Sequence, residues 1–347
     1  MSNVYIPYTP YNVLLSLAVA ASRPDDDNFM ILAGKDRNFL EGSTSLLEIF
    51  HSVGMRAFTF ESSWDDSNIK NFFIKKRNLR TLERELEALP SIDRLYYIRE
   101  WNVYTTCAVH KARELNMDAK FYFLEDGIYT YVEEEKKLKN PIERLADRLA
   151  YGPWHINVAV PGALCPDAAV CAMFPDILPD IYKKRKLERI DLSPLLRSAD
   201  EEVLARVTET HANDGVDTLV ALSATGGAAY KNVISSFLRR NKNSSSVVAV
   251  KRHPNDDGRV AFIPPDVDAV ELAPHVPVEL FYFRYHKTLR RIIGGLSTAL
   301  LTARRMLPDA EIESVVSQKY LECDEHADVI LKLFKDAGVN VVVIDEA

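Results

Sequence analysis

The chain has 347 residues, 47% hydrophobic and 27% charged, a composition that excludes a disordered or fibrous class and a length that suits two cores of roughly 150–200 residues each. A formal net charge of −7 excludes a protein that holds nucleic acid through a broad basic surface, so no nucleic-acid partner is expected. The four cysteines, Cys107, Cys165, Cys171 and Cys323, form no C-x-x-C pair and have no histidines at zinc-finger spacing, so neither a metal ribbon nor a disulfide framework is expected, and a reducing, cytoplasmic setting fits best.

From the start, short apolar runs alternate with longer helical patterns, the βαβ signature of a parallel sheet covered on both faces. Strands are expected at 4–7, 28–33, 56–61, 95–98 and 120–124, and helices at 11–21, 43–53, 65–89 and 103–115. The run Val13–Ser22 resembles a short signal-peptide core, but no Lys or Arg precedes it, and it reads better as a first helix entered through Pro10. Lys75-Lys76-Arg77 reads as a solvated helix face rather than a binding patch. No apolar run reaches the roughly 18 residues of a membrane span, so any membrane association is expected to be peripheral.

Beyond Tyr131 come a charged stretch, a helix from Pro141 to Ala150, and Pro-rich irregular sequence to about residue 179, with Lys183-Lys184-Arg185-Lys186 near its end. Residues 156–200 are therefore expected to cross between domains spanning 1–155 and 201–347. The basic run reads first as a solvated linker and second as a site for an anionic polysaccharide or membrane surface. The second half repeats the alternation, with helices at 199–211, 229–239 and 325–337 and strands at 217–222, 247–251, 269–272 and 339–344. Its last helix is expected to be able to pack back on the first domain. Two doubly wound domains with a cleft between them are the economical architecture.

In such sheets functional groups gather just past the carboxyl ends of strands. Glu125-Asp126-Gly127 follows the strand Lys120–Leu124 and reads as a general base or as an acidic turn closed by glycine. Successive residues of extended chain face opposite ways, so one carboxylate enters a cleft while the other braces the loop. His253-Pro254 follows Val247–Val250 through Lys251 and Arg252, and reads as an acid facing a phosphate or as a surface turn. Gly294-Gly295-Leu296-Ser297-Thr298 ends in two hydroxyls at a helix start, where capping and phosphate binding are equally supported. The turn Ser223-Ala-Thr225-Gly226-Gly227 shares that ambiguity and matches no phosphate-loop pattern. Glu279, after Pro277, reads as a first-turn acid or as a ribose contact.

This ordered set, with Tyr8-Thr9-Pro10-Tyr11-Asn12 as a first strand-to-helix turn, resembles the bacterial sialyltransferases, above all the polysialyltransferase and lipooligosaccharide sialyltransferase families. The resemblance spans most of the chain by motif order. It implies a GT-B fold, two Rossmann-like domains facing a central cleft, and an inverting, metal-independent transfer from a CMP-activated nonulosonic acid to a glycan acceptor, with no further cofactor; the alternatives are the same architecture using CMP-Kdo or a UDP-sugar, and a non-catalytic glycan-binding protein. It implies Glu125 as the base with Asp126 its neighbour, and His253 as the acid or phosphate partner. Glu279 is implied as the cytidine-ribose contact and Ser297 with Thr298 as the phosphate pair. Arg252, Pro254, Ser223, Thr225, Gly226, Gly227, Thr9 and Asn12 complete the implied donor-binding set. The last pair is Ser-Thr where those families commonly carry Ser-Ser.

Overall fold

The computed structural model describes residues 1–34, 37–61, 69–132, 140–156, 158, 163–208, 215–222, 227–240, 247–253, 269–273, 276–323 and 326–344. The chain divides into two units, Met1–Ser198 and Ala199–Ala347.

The first unit contains β1 (Ser2–Ile6), β2 (Asp27–Gly34), β3 (Arg56–Glu61), β4 (Arg94–Tyr97), β5 (Lys120–Leu124), β6 (Ala169–Ala172) and β7 (Leu187–Arg189). All pair in parallel, in the order β3-β2-β1-β4-β5-β6-β7. Every residue of β1 is buried, because parallel strands covered by helices on both faces have no solvent side to alternate toward. In the central strands Tyr5 pairs with Tyr96 and Tyr96 with Tyr122. Their rings stack at 4.6 Å, and the Tyr5 hydroxyl donates to Asn28 Oδ1 at 3.1 Å, so this buried aromatic layer keeps a hydrogen-bonded polar tip.

The second unit contains β8 (Val216–Ala221), β9 (Val247–Lys251), β10 (Ala269–Leu272), β11 (Arg291–Gly294), β12 (Glu311–Ser317) and β13 (Asn340–Ile344). The order is β10-β9-β8-β11-β12-β13, again all parallel. Val220, Val250, Ile293 and Val315 from four adjacent strands pack with Ile234 and Phe237 of the helix Gly227–Arg240 to form its core.

Each unit therefore shows the strand order of a Rossmann-type doubly wound sheet, reversing direction between β1 and β4 and between β8 and β11. Ligands of such sheets bind outside the carboxyl ends of the strands at these reversals. Residues 156–200, read from composition as a crossing segment, carry β6 and β7 of the first sheet. The boundary between the two units falls at the end of that range, between Ser198 and Ala199. Lys75, read as part of a solvated face, is buried, and Lys76 lies over the Phe72 ring at 5.4 Å. Lys183 and Lys186 are each paired at 2.6 Å, with Asp180 and Glu188 respectively, which offsets half of that basic run. No described helix is long and apolar enough to cross a membrane.

Candidate functional site

At the first switch point, β1 runs into the turn Pro7–Thr9 and the helix Pro10–Ala21. Thr9 caps that helix, its hydroxyl accepting from Asn12 N–H at 3.2 Å. The fully buried Asn12 accepts from Tyr8 N–H with Oδ1 at 3.4 Å and reaches Asp126 Oδ1 with Nδ2 at 3.4 Å. β4 ends two residues before Arg99, whose Nε lies 3.0 Å from Asp126 Oδ2. The carboxyl ends of β1, β4 and β5 thus meet on one carboxylate.

Glu125 and Asp126, adjacent in sequence, have opposite environments. Glu125 is 0% exposed; Oε1 accepts from the Tyr11 hydroxyl, and Oε2 accepts from the Tyr131 hydroxyl and from Met173 N–H at 2.7 Å. Burial raises its carboxyl above the ordinary value, against the opposing pull of the three donors, Tyr11, Tyr131 and the Met173 amide; nearby Asp126 adds to the rise. Asp126 keeps 14% of its side chain exposed beside Arg99 at 28%, and its N–H donates to Thr130 Oγ1 at 2.6 Å. Gly127 makes this turn at φ 63, ψ −143, a backbone conformation that only glycine adopts without strain. Glu125 braces the turn and Asp126 is presented by it.

At the second switch point Ala221 pairs with Lys251 on one side and Gly294 on the other, so the carboxyl ends of β9, β8 and β11 lie side by side. A Cβ on Gly294 would stand 2.9 Å from the Ala221 carbonyl oxygen, which makes glycine a requirement of this strand contact. Ser297 caps the helix Thr298–Met306 in extended backbone, its hydroxyl accepting from Ala299 N–H at 3.3 Å. Thr298 is the first residue of that helix, and its carbonyl accepts from Thr302 Oγ1 at 3.1 Å.

Past β9, Arg252 and His253 are half-buried. The Arg252 guanidinium binds Glu271 on the neighbouring β10. Beneath them the buried Lys251 donates from Nζ to the Arg252 carbonyl at 2.6 Å, tying down the turn that carries the histidine. Burial pushes Lys251 down to about 8, with the Glu279 carboxylate pulling it back up. Glu279, buried in the first turn of the helix Val278–Tyr285, is pushed up by the same loss of water, its backbone and Lys251 opposing. Ser223, Thr225, Gly226 and Pro254 lie outside the described residues, while Gly227 opens the helix that follows β8.

The sequence reading missed Arg99, Tyr11 and Tyr131. Arg99 had a usable signal, a cation just past an apolar strand. Tyr11 had none, since it lies 114 residues from Glu125, and no residue pattern marked Tyr131, only six residues beyond Glu125, as its partner.

The class these units define is a pair of Rossmann-like doubly wound sheets in the GT-B architecture. Among solved structures, a sialyltransferase from Photobacterium damsela aligns over 100% of this chain and 81% of its own, with a TM-score of 0.53 at 11% identity. Arabidopsis thaliana UGT89C1 complexed with UDP-L-rhamnose aligns over 99% of this chain and 85% of its own, with a TM-score of 0.53 at 9% identity. At such identities the likeness is one of fold. No protein-family model matches the chain, and no curated protein matches it.

Proposed function

We propose that the chain is a glycosyltransferase, and that it moves a nonulosonic acid from a CMP-activated donor to a hydroxyl of a glycan acceptor with inversion. The observation that carries this reading is the distribution of chemistry between two switch points. One presents a carboxylate, Asp126; at the other a histidine follows β9 and a capped hydroxyl turn that opens a helix follows β11, on either side of β8. A carboxylate suits removal of a proton from an attacking hydroxyl, and the second set suits a departing phosphate. The two solved structures above are equally similar, and their names point to different donors. The choice of CMP therefore rests on the motif order, not on the fold.

In this reading Asp126, steered by Arg99 and Asn12, takes the acceptor proton as the oxygen attacks the anomeric carbon. Glu125, to which the resemblance assigned that task, has no exposed surface and holds the turn. The bond from the anomeric carbon to the phosphate oxygen breaks, and CMP leaves with the electron pair. His253 donates a proton or hydrogen bond to the phosphate, whose charge is further stabilised by the Ser297–Thr298 helix start. No metal is required by this division of labour. The test is calorimetric titration with CMP, UMP and UDP in EDTA, followed by CMP release from CMP-sialic acid with a panel of glycans. Selective CMP binding and acceptor-dependent release support the reading. Preference for UDP moves the donor to a UDP-sugar, and binding of neither nucleotide removes the enzymatic reading.

A further inference from the structure

The helix Pro141–Tyr151 is built the wrong way round for a core helix. Asn140 caps it through a reciprocal capping box with Glu143, so its start is locally secured. Ile142, Leu145 and Leu149 fall on one stripe at helical spacing, and they are 80%, 59% and 78% exposed. The side that meets the body is instead marked by Tyr151, whose ring lies 5.9 Å from Phe72 and 5.4 Å from His155. At about 100° per residue, Arg144 and Arg148 flank the stripe on the Leu145 side, while Glu143 and Asp147 lie toward the far side. With Pro141, Leu145, His155 and Ile156, the two arginines line a cavity of about 420 Å³, and Arg148 Nε donates to the His155 carbonyl at 3.4 Å.

We infer that this helix lies in the plane of an anionic lipid bilayer, with Ile142, Leu145 and Leu149 among the acyl chains and a lipid phosphate between Arg144 and Arg148. Two observations select this occupant. First, three large side chains on one helix fall well short of the roughly 800 Å² per partner that a stable protein interface needs, whereas an interfacial helix needs only such a stripe. Second, although the chain carries a net charge of −7, the flank beside the stripe presents two guanidiniums around a concave space, which complements a phosphate headgroup. Outward apolar and laterally basic is the pattern of a helix that rests on a membrane rather than crossing it. The inference does not depend on the glycosyl-transfer reading.

The test is co-sedimentation of the full chain with vesicles of phosphatidylcholine alone and of phosphatidylcholine mixed with phosphatidylglycerol. Partition into the mixed vesicles is expected to exceed that into neutral ones by roughly tenfold or more, and to weaken with added salt. Leu145→Gln with Leu149→Gln is expected to lower it by roughly tenfold. Arg144→Gln with Arg148→Gln is expected to bring mixed and neutral vesicles to the same level. All four side chains are exposed, so the variants are expected to keep the parent's melting temperature, which is measured alongside. Equal partition into both vesicle types, or variants that sediment like the parent, overturns the inference. So does a parent that is dimeric by light scattering and becomes monomeric on the leucine changes, since the stripe then belongs to a second copy.

Discussion

Arg99 Nε sits 3.0 Å from Asp126 Oδ2, joining the end of β4 to the end of β5 beside the β1–β4 reversal of the first sheet. The pair stays partly open to solvent, so the arginine orients the carboxylate while leaving one edge of it accessible. Glu125, one residue earlier, is sealed beneath it by Tyr11, Tyr131 and the Met173 amide. Parity of the extended chain separates two chemically similar groups into a buried brace and a partly exposed carboxylate, the one proposed above as the base.

Asp126→Asn is therefore expected to lower turnover by about 10²–10⁴-fold, the usual contribution of a general base, while nucleotide affinity stays unchanged. Arg99→Gln is expected to act in the same direction but more weakly, because it misorients the base without removing it. Rates with saturating donor, read beside calorimetric affinity, check both. An Asp126→Asn enzyme at parental rate would return the base assignment to Glu125 or to another group.

Glu125 makes a separate prediction about stability. Its folded carboxyl titrates above its unfolded value because it is buried, so between those two values the folded state holds a proton that the unfolded chain has released. Its contribution is complete below the ordinary carboxylate value and is lost as pH rises through the folded one. Glu125→Gln, neutral at every pH, removes this slope. The parent's melting temperature minus the variant's is expected to fall as pH is raised across the window; a constant difference would contradict the burial account.

Both sheets follow from local composition where an apolar run is bounded by polar residues: β3, β5, β9 and β10 begin and end where the sequence places them. β6 is only Ala169-Val-Cys-Ala172, apolar but too short to stand out from the prolines around it, and β7 is only Leu187-Glu-Arg189, both short and polar. β11 and β12 begin with Arg291 and Glu311 and are visible mainly through their neighbours in the sheet. For the site, the strand-end rule located Glu125-Asp126, His253 and Ser297. That one carboxylate would brace the loop was also legible, but which one depends on Tyr11 arriving from 114 residues away and on Tyr131 reaching back from the helix that follows the turn.

Gly294→Ala tests the tightness of the second switch point. The added methyl would stand 2.9 Å from a backbone oxygen and 3.2 Å from Leu300 Cδ2, and the carbonyl belongs to a paired strand that has little room to move. A loss of about 1–3 kcal/mol is expected, typical of overpacking, and is read from denaturant midpoints at constant slope. A neutral substitution would show that β8 and β11 separate easily.

Lys251 and Glu279 are buried within electrostatic reach of each other, and Lys251 also holds the carbonyl before His253. With Lys251 pushed down to about 8 from an ordinary 10.5, the unfolded chain binds more protons between those values. The lysine's contribution is therefore complete above 10.5 and lost as pH falls through about 8. Stability of the parent is expected to rise over that interval relative to Lys251→Met. Because each charge partly offsets the other's loss of water, the double variant Lys251→Met, Glu279→Gln is expected to be less destabilised than the singles sum to, by about 0.5–3 kcal/mol. If the pair also steadies the histidine turn, Lys251→Met weakens CMP binding in proportion to the loss of that tether, while Glu279→Gln, which leaves the Nζ–carbonyl bond in place, weakens it less. Equal losses would mean that Glu279 contacts the nucleotide itself, the role its place in the motif order implies.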